Sequence, residues 1–576
     1  MIEELDTVLK RLQYFAEHIP DKEFFIFYGS EPGQRSAFTA RQVYTLSGRF
    51  AARLHQQGFQ RHDVIANTLP NSPERVITDL GVMMCGCTPM NGQVLLADGE
   101  DFFQSARVSR CQGIIVCPCD SQSGWRLVKR FTSLGAGGEN TTSGDGLDFL
   151  SLSCEGVGAP ELKTAISITE ENSGSKKSFL SGLMTSTDEP YTGQVEPDDV
   201  LMVFTTSGST GYSKLVPRTH KEAISLHIDC YGEFDEEEIK KPKAARYSDA
   251  RLGWAGGYPY VTYILSTTRV MKNYLVPQDE TKHAHAIWTA ICNEQCPSAS
   301  IQQVDIDNVL KFAETSTDLD GSKLKMLISS GRPLNKRQVR KMHKLSGRVM
   351  VGYAATECGL IAMGCAFEDT EDFYCGKPAK GIRIRIVDSE GNDLKTGETG
   401  TVWVKGGPYN IVQGYFNKLE DPDPKTLKAF TGDGWFNTND SGYLDEDGNM
   451  YVIGRGQDTI SHGSFIVYPG WMEKKIEEHI EAVEEACVVP VSDPVLYHKI
   501  CACVRTAKGS DFSETKLREF CETLFVESTS NSITPMPEYF MIMTEFPRSL
   551  NGKINKRELR RQAEEKFCPS MNVIED

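Results

Sequence analysis

The stretch Thr205–Lys214, TTSGSTGYSK, follows an apolar segment at Asp199–Phe204 that we predict to be a buried strand. Its glycines allow backbone N–H groups to approach a ligand, its hydroxyl groups add hydrogen-bond donors, and Lys214 adds a positive charge. The stretch does not match the Walker pattern, because Gly208 and Gly211 are too close together and neither Ser nor Thr follows Lys214. It therefore indicates either a phosphate-binding loop of another kind or an ordinary polar turn.

The composition limits the classes of protein to which the chain can belong. Its 576 residues suffice for more than one domain, and 39% apolar and 24% charged residues are typical of a globular protein. A net charge of −17 argues against nucleic-acid binding, and no apolar run reaches the ~18 residues of a transmembrane helix. Neither end carries a targeting or lipidation signal, so we expect a cytoplasmic protein. The 17 cysteines lack paired C-x₂-C motifs at zinc spacing, and we expect reduced, mostly buried thiols.

Strand and helix patterns alternate in the first part of the chain. We predict a helix over residues 39–58 and a strand and turn over 64–71, followed over 72–90 by a second helix that leads to a turn of small residues. Such alternation is typical of an α/β fold with a largely parallel sheet. Residues 121–197 are rich in Ser, Gly, Thr and Asn, and we expect surface loops or a flexible insertion there. The charge run at 233–246 is expected to be a solvated face.

The pattern becomes β-rich after Phe373. Alternating apolar and polar residues predict hairpins over 382–406 and over 442–455. A helix at about 472–484, two strands and a helix at about 514–526 then predict a compact α+β tail. We place the domain boundary close to Arg455.

Four further motifs follow or contain predicted strands. They are SSGRPL (Ser329–Leu334), VGYAATECG (Val351–Gly359), FNTNDSGYLDEDGNMYVIGRGQD (Phe436–Asp458) and RSLNGKINKREL (Arg548–Leu559). In this order and at this spacing, the five motifs together resemble the adenylate-forming superfamily of acyl- and aryl-CoA synthetases, peptide-synthetase adenylation domains and beetle luciferases. The resemblance implies a large N-terminal AMP-binding domain (1–456), with mixed α/β subdomains and a β-rich subdomain. A small mobile α+β domain (457–576) would follow.

The resemblance also implies roles for individual residues around ATP. The loop that would cradle the β- and γ-phosphates consists of Thr206, Ser207, Gly208, Ser209, Thr210, Gly211 and Lys214. The turn along the adenine base would be Ser330, Gly331 and Arg332. The third motif would complete the site with Gly352, Tyr353, Ala354, Ala355, Thr356 and Glu357. Within it, Tyr353 would stack on adenine, Thr356 would touch the α-phosphate, and Glu357 would bind Mg²⁺.

The last two motifs would contribute four more residues. Asp440 stands in TND, where the family usually has T-G-D, and would accept hydrogen bonds from the ribose hydroxyls. Arg455 would contact ribose and phosphate, Gln457 would occupy the hinge, and Lys553 would enter the site during adenylation.

The pocket for the acid would lie at RLGWAGGYPY, Arg251–Tyr260. Trp254 resembles the tryptophan of acetyl- and medium-chain acyl-CoA synthetases, although it could equally be an aromatic residue of the core. Gly256 and Gly257 would leave space for an acyl chain. We therefore expect a fatty or other apolar carboxylic acid as substrate.

These features favour an ATP-dependent acid–CoA ligase, an enzyme that forms carbon–sulfur bonds with ATP, Mg²⁺ and CoA. One departure concerns Gly463-Ser464, where CoA ligases and luciferases often carry Lys-Gly. It lies in 461–467, the segment expected to take part in thioester formation. The alternatives are an adenylation enzyme that passes the acyl group to a carrier protein in trans or to another acceptor, a luciferase-like oxygenase, and an inactive nucleotide-binding protein. The inactive protein would be expected to lack Lys553 or Glu357.

Overall fold

The computed structural model describes most of the chain. The described residues are 5–29, 31, 34–92, 94, 99–132, 144–169, 178–206, 213–231, 244–276, 282–316, 320–331, 334, 336–371, 373–388, 390–407, 410–419, 424–455, 460–463, 465–467, 469–506, 510–525, 536–547, 554 and 556–568. The chain divides into two compact units. The first comprises Met1–Gln93, Glu100–Thr206 and Lys214–Gly456, and the second comprises Val94–Gly99, Ser207–Ser213 and Gln457–Asp576. The roles of 1–456 and 457–576 as AMP-binding and mobile domains remain predictions.

The first unit contains a thirteen-stranded sheet with a parallel half and an antiparallel half. Its order is β17-β18-β19-β20-β16-β15-β14-β13-β12-β10-β11-β1-β2, where β1 is Glu23–Tyr28, β2 Arg35–Thr39, β10 Arg246–Ser248, β11 Arg269–Lys272, β12 Ser298–Ser300, β13 Met326–Ser330, β14 Val349–Ala355, β15 Gly359–Ala366, β16 Tyr374–Pro378, β17 Arg383–Val387, β18 Gly400–Lys405, β19 Phe436–Leu444 and β20 Met450–Arg455. In the order of the sheet, the strands β14-β13-β12-β10-β11-β1 are parallel to one another. The strands from β17 to β14 in that order pair antiparallel.

A seven-stranded sheet accompanies it. Its order is β6-β7-β5-β3-β4-β8-β9, where β3 is Val64–Asn67, β4 Thr88–Asn91, β5 Cys111–Val116, β6 Leu147–Ser151, β7 Thr164–Ile168, β8 Val200–Thr206 and β9 Lys214–Thr219. The central strands are parallel, while β6 and β9 pair antiparallel with their neighbours. The predicted α/β class and the two predicted hairpins, β17–β18 and β19–β20, are therefore confirmed.

Helices connect and cover these strands. They are α1 (Val8–His18), α2 (Ala40–Gln56), α3 (Pro73–Met84), α4 (Glu100–Ser109), α5 (Ser123–Val128), α6 (Phe179–Thr185), α7 (His220–Tyr231), α8 (Tyr260–Leu265), α9 (His283–Asn293), α10 (Gln303–Thr315), α11 (Lys336–His343) and α12 (Pro424–Ala429). Helix α2 starts with a capping box between Thr39 and Gln42, and Gly58 follows it at φ 89°, a conformation that glycine adopts without strain. Helix α3 starts at Pro73 after the N-cap Ser72.

One prediction for this part of the chain is wrong in detail. The segment 121–197 is not only loop, because β6, β7, α5 and α6 form within it and bury Leu147, Ile166 and Phe179. Its many Ser and Gly residues obscured two short strands whose apolar residues complete the sheet edge. The charge run at 233–246 lies mostly outside the described residues.

The second unit is a small α+β body. Its strands β21 (Ile460–His462), β22 (Phe465–Val467), β23 (Val483–Asp493), β24 (Tyr497–Thr506) and β25 (Tyr539–Met543) form one sheet, accompanied by α13 (Pro469–His479), α14 (Glu514–Leu524) and α15 (Lys556–Phe567). The predicted helix at 472–484 is displaced, since α13 ends at His479 and β23 begins at Val483. Pairing of Val483 with Thr506 of β24 overrides the helical periodicity there.

Candidate active site

The hydroxyl-rich stretch connects the two strands of a hairpin. Thr206 at the end of β8 and Lys214 at the start of β9 are direct partners across the antiparallel pair. A Walker loop instead leads from a strand into a helix. The hydroxyl oxygen of Thr206 is buried and has no hydrogen-bond partner among the described atoms.

A short chain of hydrogen bonds joins the hairpin to the third motif. Lys214 Nζ donates to the hydroxyl of Tyr415 at 3.0 Å, and that hydroxyl donates to Glu357 Oε1 at 3.0 Å. Glu357 and Tyr415 are both 8% exposed. The predicted phosphate-binding lysine and the predicted metal-binding carboxylate thus share one hydroxyl group. Tyr415 was not among the predicted site residues.

Arg218 of β9 holds the turn that carries Thr356 and Glu357. Its guanidinium is buried, donates to the carbonyl of Thr356 at 2.9 Å, and donates to the carbonyl of Asn410 at 3.2 Å. The turn is also held by Val412, whose N–H donates to the carbonyl of Glu357 at 2.9 Å. These bonds fix the backbone on which the predicted catalytic side chains stand.

Tyr353 and Asp440 form a second buried contact beside this turn. The Tyr353 hydroxyl donates to Asp440 Oδ2 at 2.5 Å, and the two residues are 8% and 9% exposed. Burial, followed by the charge of Asp440, raises the pKa of Tyr353 well above its usual value. The phenol therefore stays protonated and continues to donate to the carboxylate at neutral pH.

The residue before Asp440 explains a departure from the family pattern. Asn439 has φ 60°, in the left-handed region that glycine tolerates best and asparagine next best. Asparagine in TND can therefore take the backbone conformation of the glycine in T-G-D. Arg455 of β20 is the cross-strand partner of Asp440, so the two predicted ribose contacts share one hairpin.

The adenine motif lies on the neighbouring strands. Ser330 at the end of β13 pairs with Gly352 in β14, and Gly331 follows at φ 83° with no atom close to its missing side chain. Ala354 of β14 is exposed and Ala355 is half-buried. The structure therefore places parts of the second and third motifs side by side at the carboxyl ends of parallel strands, where ligands of open α/β sheets bind.

The segment Arg251–Tyr258, which we name the pocket turn, has a tight backbone. Trp254 is half-buried, with the Arg251 guanidinium 5.3 Å from its ring centroid, so it is not a core residue. Gly256 is exposed, and a Cβ atom there would meet no atom within 4 Å, so its role beside an acyl chain stays a prediction. At Gly257 the expected space is absent, because a Cβ atom would lie 2.0 Å from the carbonyl oxygen of Arg251.

Several predicted residues lie outside the described residues. They are Ser207, Gly208, Ser209, Thr210, Gly211, Arg332, Gln457 and Lys553. Their roles remain predictions. Gly463 is described and has φ 56°, whereas Ser464 is not described.

Two observations concern the rest of the molecule. The cysteines whose side chains are described are free thiols, and all of them are buried except Cys119, Cys365 and Cys568, which are half-buried. None of the helices in the described part of the chain combines the length and apolar character needed to cross a bilayer.

Two known proteins are similar to this chain along most of its length. 4-coumarate–CoA ligase 4 of Arabidopsis thaliana is 23% identical over 96% of this chain and 93% of its own length. Acyl-coenzyme A synthetase ACSM3, mitochondrial, of Homo sapiens is 22% identical over 92% of this chain and 84% of its own length.

Structural and family comparisons lead to the same result. The amide bond synthetase McbA from Marinactinospora thermotolerans shares the fold, with a TM-score of 0.72 and 19% sequence identity over 96% of this chain and 99% of that chain. The family model for AMP-binding enzymes matches residues 12–416, which is more than half of the chain. The protein therefore belongs to the AMP-binding enzyme family, a member of the adenylate-forming superfamily.

Proposed function

We propose that the protein is an ATP-dependent acid–CoA ligase, which converts a carboxylic acid to an acyl-adenylate and then to a CoA thioester. The observation that carries the proposal is the contact of Lys214 and Glu357 through Tyr415, beside the Tyr353–Asp440 pair. Four residues from three separate motifs thereby take part in two hydrogen-bonded groups, Lys214–Tyr415–Glu357 and Tyr353–Asp440. The two relatives above are named as a CoA ligase and an acyl-coenzyme A synthetase, and the similarity covers most of the length of each. Their names support the same activity.

The proposed first step is attack of the acid carboxylate on the α-phosphate of ATP, with pyrophosphate as the leaving group. The carboxylate is already ionised at pH 7, so no general base is required. Lys214 would offset charge on the phosphates, and Asp440 would accept hydrogen bonds from the ribose. The enzyme's contribution is therefore positioning and electrostatic stabilisation.

The same site has donors that suit Mg²⁺. Glu357 offers a carboxylate, and hard oxygen donors of this kind are what Mg²⁺ prefers. We propose that Glu357 holds the ion together with the phosphates, while the neighbouring Thr356 contacts the α-phosphate. When bound, Mg²⁺ would offset negative charge on the triphosphate.

The second unit would complete the reaction. Lys553 would reach the α-phosphate region during adenylation, and rotation about Gln457 would then withdraw it for thioester formation. Arg455 would contact ribose and phosphate next to this hinge. These roles follow from the resemblance of the last two motifs.

For the acid we propose a fatty or other apolar compound. Support comes from the half-buried indole of Trp254 in the pocket turn. The named acid of the Arabidopsis relative, 4-coumarate, makes an aromatic acid a second class to include in any test.

A second candidate is an adenylation enzyme with another acceptor, such as an amine or a carrier protein. Gly463-Ser464 replaces the Lys-Gly that many CoA ligases carry, and the amide bond synthetase McbA shares this fold. Both features are compatible with acyl transfer to a group other than CoA.

The test measures pyrophosphate and thioester separately. The protein is incubated with ATP, MgCl₂ and a panel of short-, medium- and long-chain fatty acids and 4-coumarate, with and without CoA. We expect thioester formation in step with pyrophosphate release for at least one acid. Pyrophosphate release without thioester would reject the CoA ligase in favour of another acceptor, and light emission with a luciferin would indicate an oxygenase. Absence of ATP–pyrophosphate exchange with every acid would refute adenylation itself.

A further inference from the structure

A buried asparagine joins the hairpin of the site to the rest of the seven-stranded sheet. Asn91, the last residue of β4, is 5% exposed. Its Nδ2 donates to the hydroxyl of Thr205 at 2.9 Å, next to the hairpin end Thr206. Its Oδ1 accepts from the guanidinium of Arg75 at 3.3 Å. Both ends of the Asn91 amide are therefore used.

The partner of Asn91 is itself firmly held. Arg75 is 4% exposed, donates to Asp79 Oδ2 at 3.1 Å, and donates to the carbonyl of Leu69 at 2.6 Å. Asn67 donates to the other oxygen of Asp79 at 2.8 Å. The guanidinium of Arg75 has only donors, so the oxygen of the Asn91 amide must face Arg75. The NH₂ group of the amide then faces Thr205. The network thus sets one orientation for Asn91.

The pocket turn packs against the same amide. A Cβ atom at Gly253 would lie 2.2 Å from Asn91 Oδ1 and 2.9 Å from Arg75 Nη2, so only glycine fits this close approach. The next residue back, Leu252, donates its N–H to Asn71 Oδ1 at 2.7 Å. The pocket turn therefore packs against Asn91 and Arg75, the same polar residues that contact the hairpin through Thr205.

We propose that Asn91 is a positioning residue that couples the ATP-binding hairpin to the turn that would hold the acid. This inference rests on the proposed function. Asn91 contacts Thr205 on one side and lies against Gly253 on the other, in a closely packed interior that transmits displacements. A change at the pocket turn therefore alters the affinity for ATP through this one side chain.

The test uses the Kd for ATP with Mg²⁺, measured by titration calorimetry on the full chain, with no acid present. Asn91→Ala and Thr205→Val should each weaken ATP binding by about fivefold or more, which is the lower range of couplings between sites. The double variant Asn91→Ala/Thr205→Val should bind ATP no more weakly than Asn91→Ala, because both changes remove the same contact.

Gly253→Ala separates coupling from simple support. The new methyl group would displace Asn91, so this change in the pocket turn should also weaken ATP binding by about fivefold. Adding Asn91→Ala should remove most of that extra effect, because the clash with the amide disappears and only the 2.9 Å approach to Arg75 Nη2 remains. Independent, additive losses in the Gly253→Ala/Asn91→Ala variant would overturn the proposal.

Two control variants match these changes elsewhere in the first unit. Ser109→Ala removes a buried hydroxyl that donates to the carbonyl of Ser105 within α4. Gly156→Ala adds a methyl group that meets no atom within 4 Å. Both controls should keep the wild-type Kd for ATP. Thermal unfolding identifies any variant that fails to fold. If Asn91→Ala does not fold, Thr205→Val is used in its place.

The outcomes also distinguish this inference from the proposed function. A wild-type protein that binds ATP and forms thioester, with Asn91→Ala folded and unchanged in its Kd, would overturn only the inference. A wild-type protein that does not bind ATP would refute both.

Discussion

At the scale of single residues, the site depends on side chains that each serve two partners. The hydroxyl of Tyr415 accepts from Lys214 and donates to Glu357, two groups of opposite charge. A hydroxyl can do both at once, and hydrogen bonds to charged groups are stronger than neutral ones. Tyr415 thereby orders the two charges that we propose to face the phosphates and Mg²⁺.

Tyr415→Phe should therefore lower the rate of ATP–pyrophosphate exchange by about tenfold to a hundredfold, the effect of losing about 1.5–3 kcal/mol of ordering. The ring still packs against Phe430, whose centroid lies 5.8 Å away, so the melting temperature should change little. Tyr443→Phe is the matched control, since that ring stacks on Tyr451 away from the Lys214–Tyr415–Glu357 contact. An unchanged exchange rate in Tyr415→Phe would show that the contact has no part in the reaction.

A second prediction concerns the backbone at Asn439, which has φ 60°. Alanine in this conformation costs about 1–2 kcal/mol, whereas glycine does not resist it. We expect Asn439→Ala to reduce the free energy of unfolding by about 1 kcal/mol and Asn439→Gly to leave it nearly unchanged. Urea unfolding measures both. Equal stability of the two variants would contradict the explanation of TND given above.

At the scale of elements, two helices of the first unit meet at a buried histidine. His220, the first residue of α7, is 1% exposed, and its Nδ1 accepts from the backbone N–H of Val8, the first residue of α1. An N–H in the first turn of a helix has no partner within that helix. His220 supplies the partner, so the start of α1 depends on a neutral imidazole.

This contact predicts a stability that depends on pH. Burial lowers the pKa of His220 to about 4, and the nearby Asp199 and Asp6 only partly oppose this. Between pH 6.5 and pH 4 the unfolded chain binds a proton that the folded chain does not. Stability from this group is therefore complete above pH 6.5 and falls as the pH is lowered.

Urea unfolding at pH 7.5 and pH 5.5 tests the direction and size of the His220 contribution to the free energy of unfolding. The wild type should lose about 1 kcal/mol more between these conditions than His220→Asn, which keeps an acceptor but does not titrate. The same pH dependence in both proteins would assign the effect to other groups.

The elements also show where sequence patterns suffice. The sequence predicts the β19–β20 hairpin because Asp447-Gly448 marks its turn and the flanking residues alternate. In the structure the two strands pair, and Gly448 has φ 76°. Strands β6 and β7 were missed because they are short and lie among Ser- and Gly-rich residues. Strand β6 pairs with β7, and β7 pairs with β5; this pairing, and not the local pattern, makes them strands.

At the scale of the whole molecule, sequence motifs identify candidate residues only where neighbouring residues in the chain form a recognisable pattern. Lys214, Glu357, Tyr353 and Asp440 each lie in a recognisable motif, and the structure joins Lys214 to Glu357 through Tyr415 and Tyr353 to Asp440. Tyr415, in contrast, is separated by 201 residues from Lys214 and by 58 from Glu357. A single tyrosine in GYFN carries no local sign of such contacts, so only the fold identifies it.

The reaction as a whole gives a further prediction for the second unit. Lys553→Ala should nearly abolish ATP–pyrophosphate exchange, with a loss of roughly 10²–10³ in rate. The same variant should still form thioester when acyl-adenylate is supplied together with CoA, because the lysine would be withdrawn in that step. Wild-type exchange by Lys553→Ala would contradict the proposed role.

The burial of the thiols has a practical consequence for observing motion. Among the described cysteine side chains, only Cys119, Cys365 and Cys568 are not buried. Replacing these three with serine should therefore suppress most background reaction with maleimide dyes in the native protein. New surface cysteines, one in each unit, would then accept a donor and an acceptor fluorophore, and single-molecule energy transfer would report directly whether the small unit rotates during turnover.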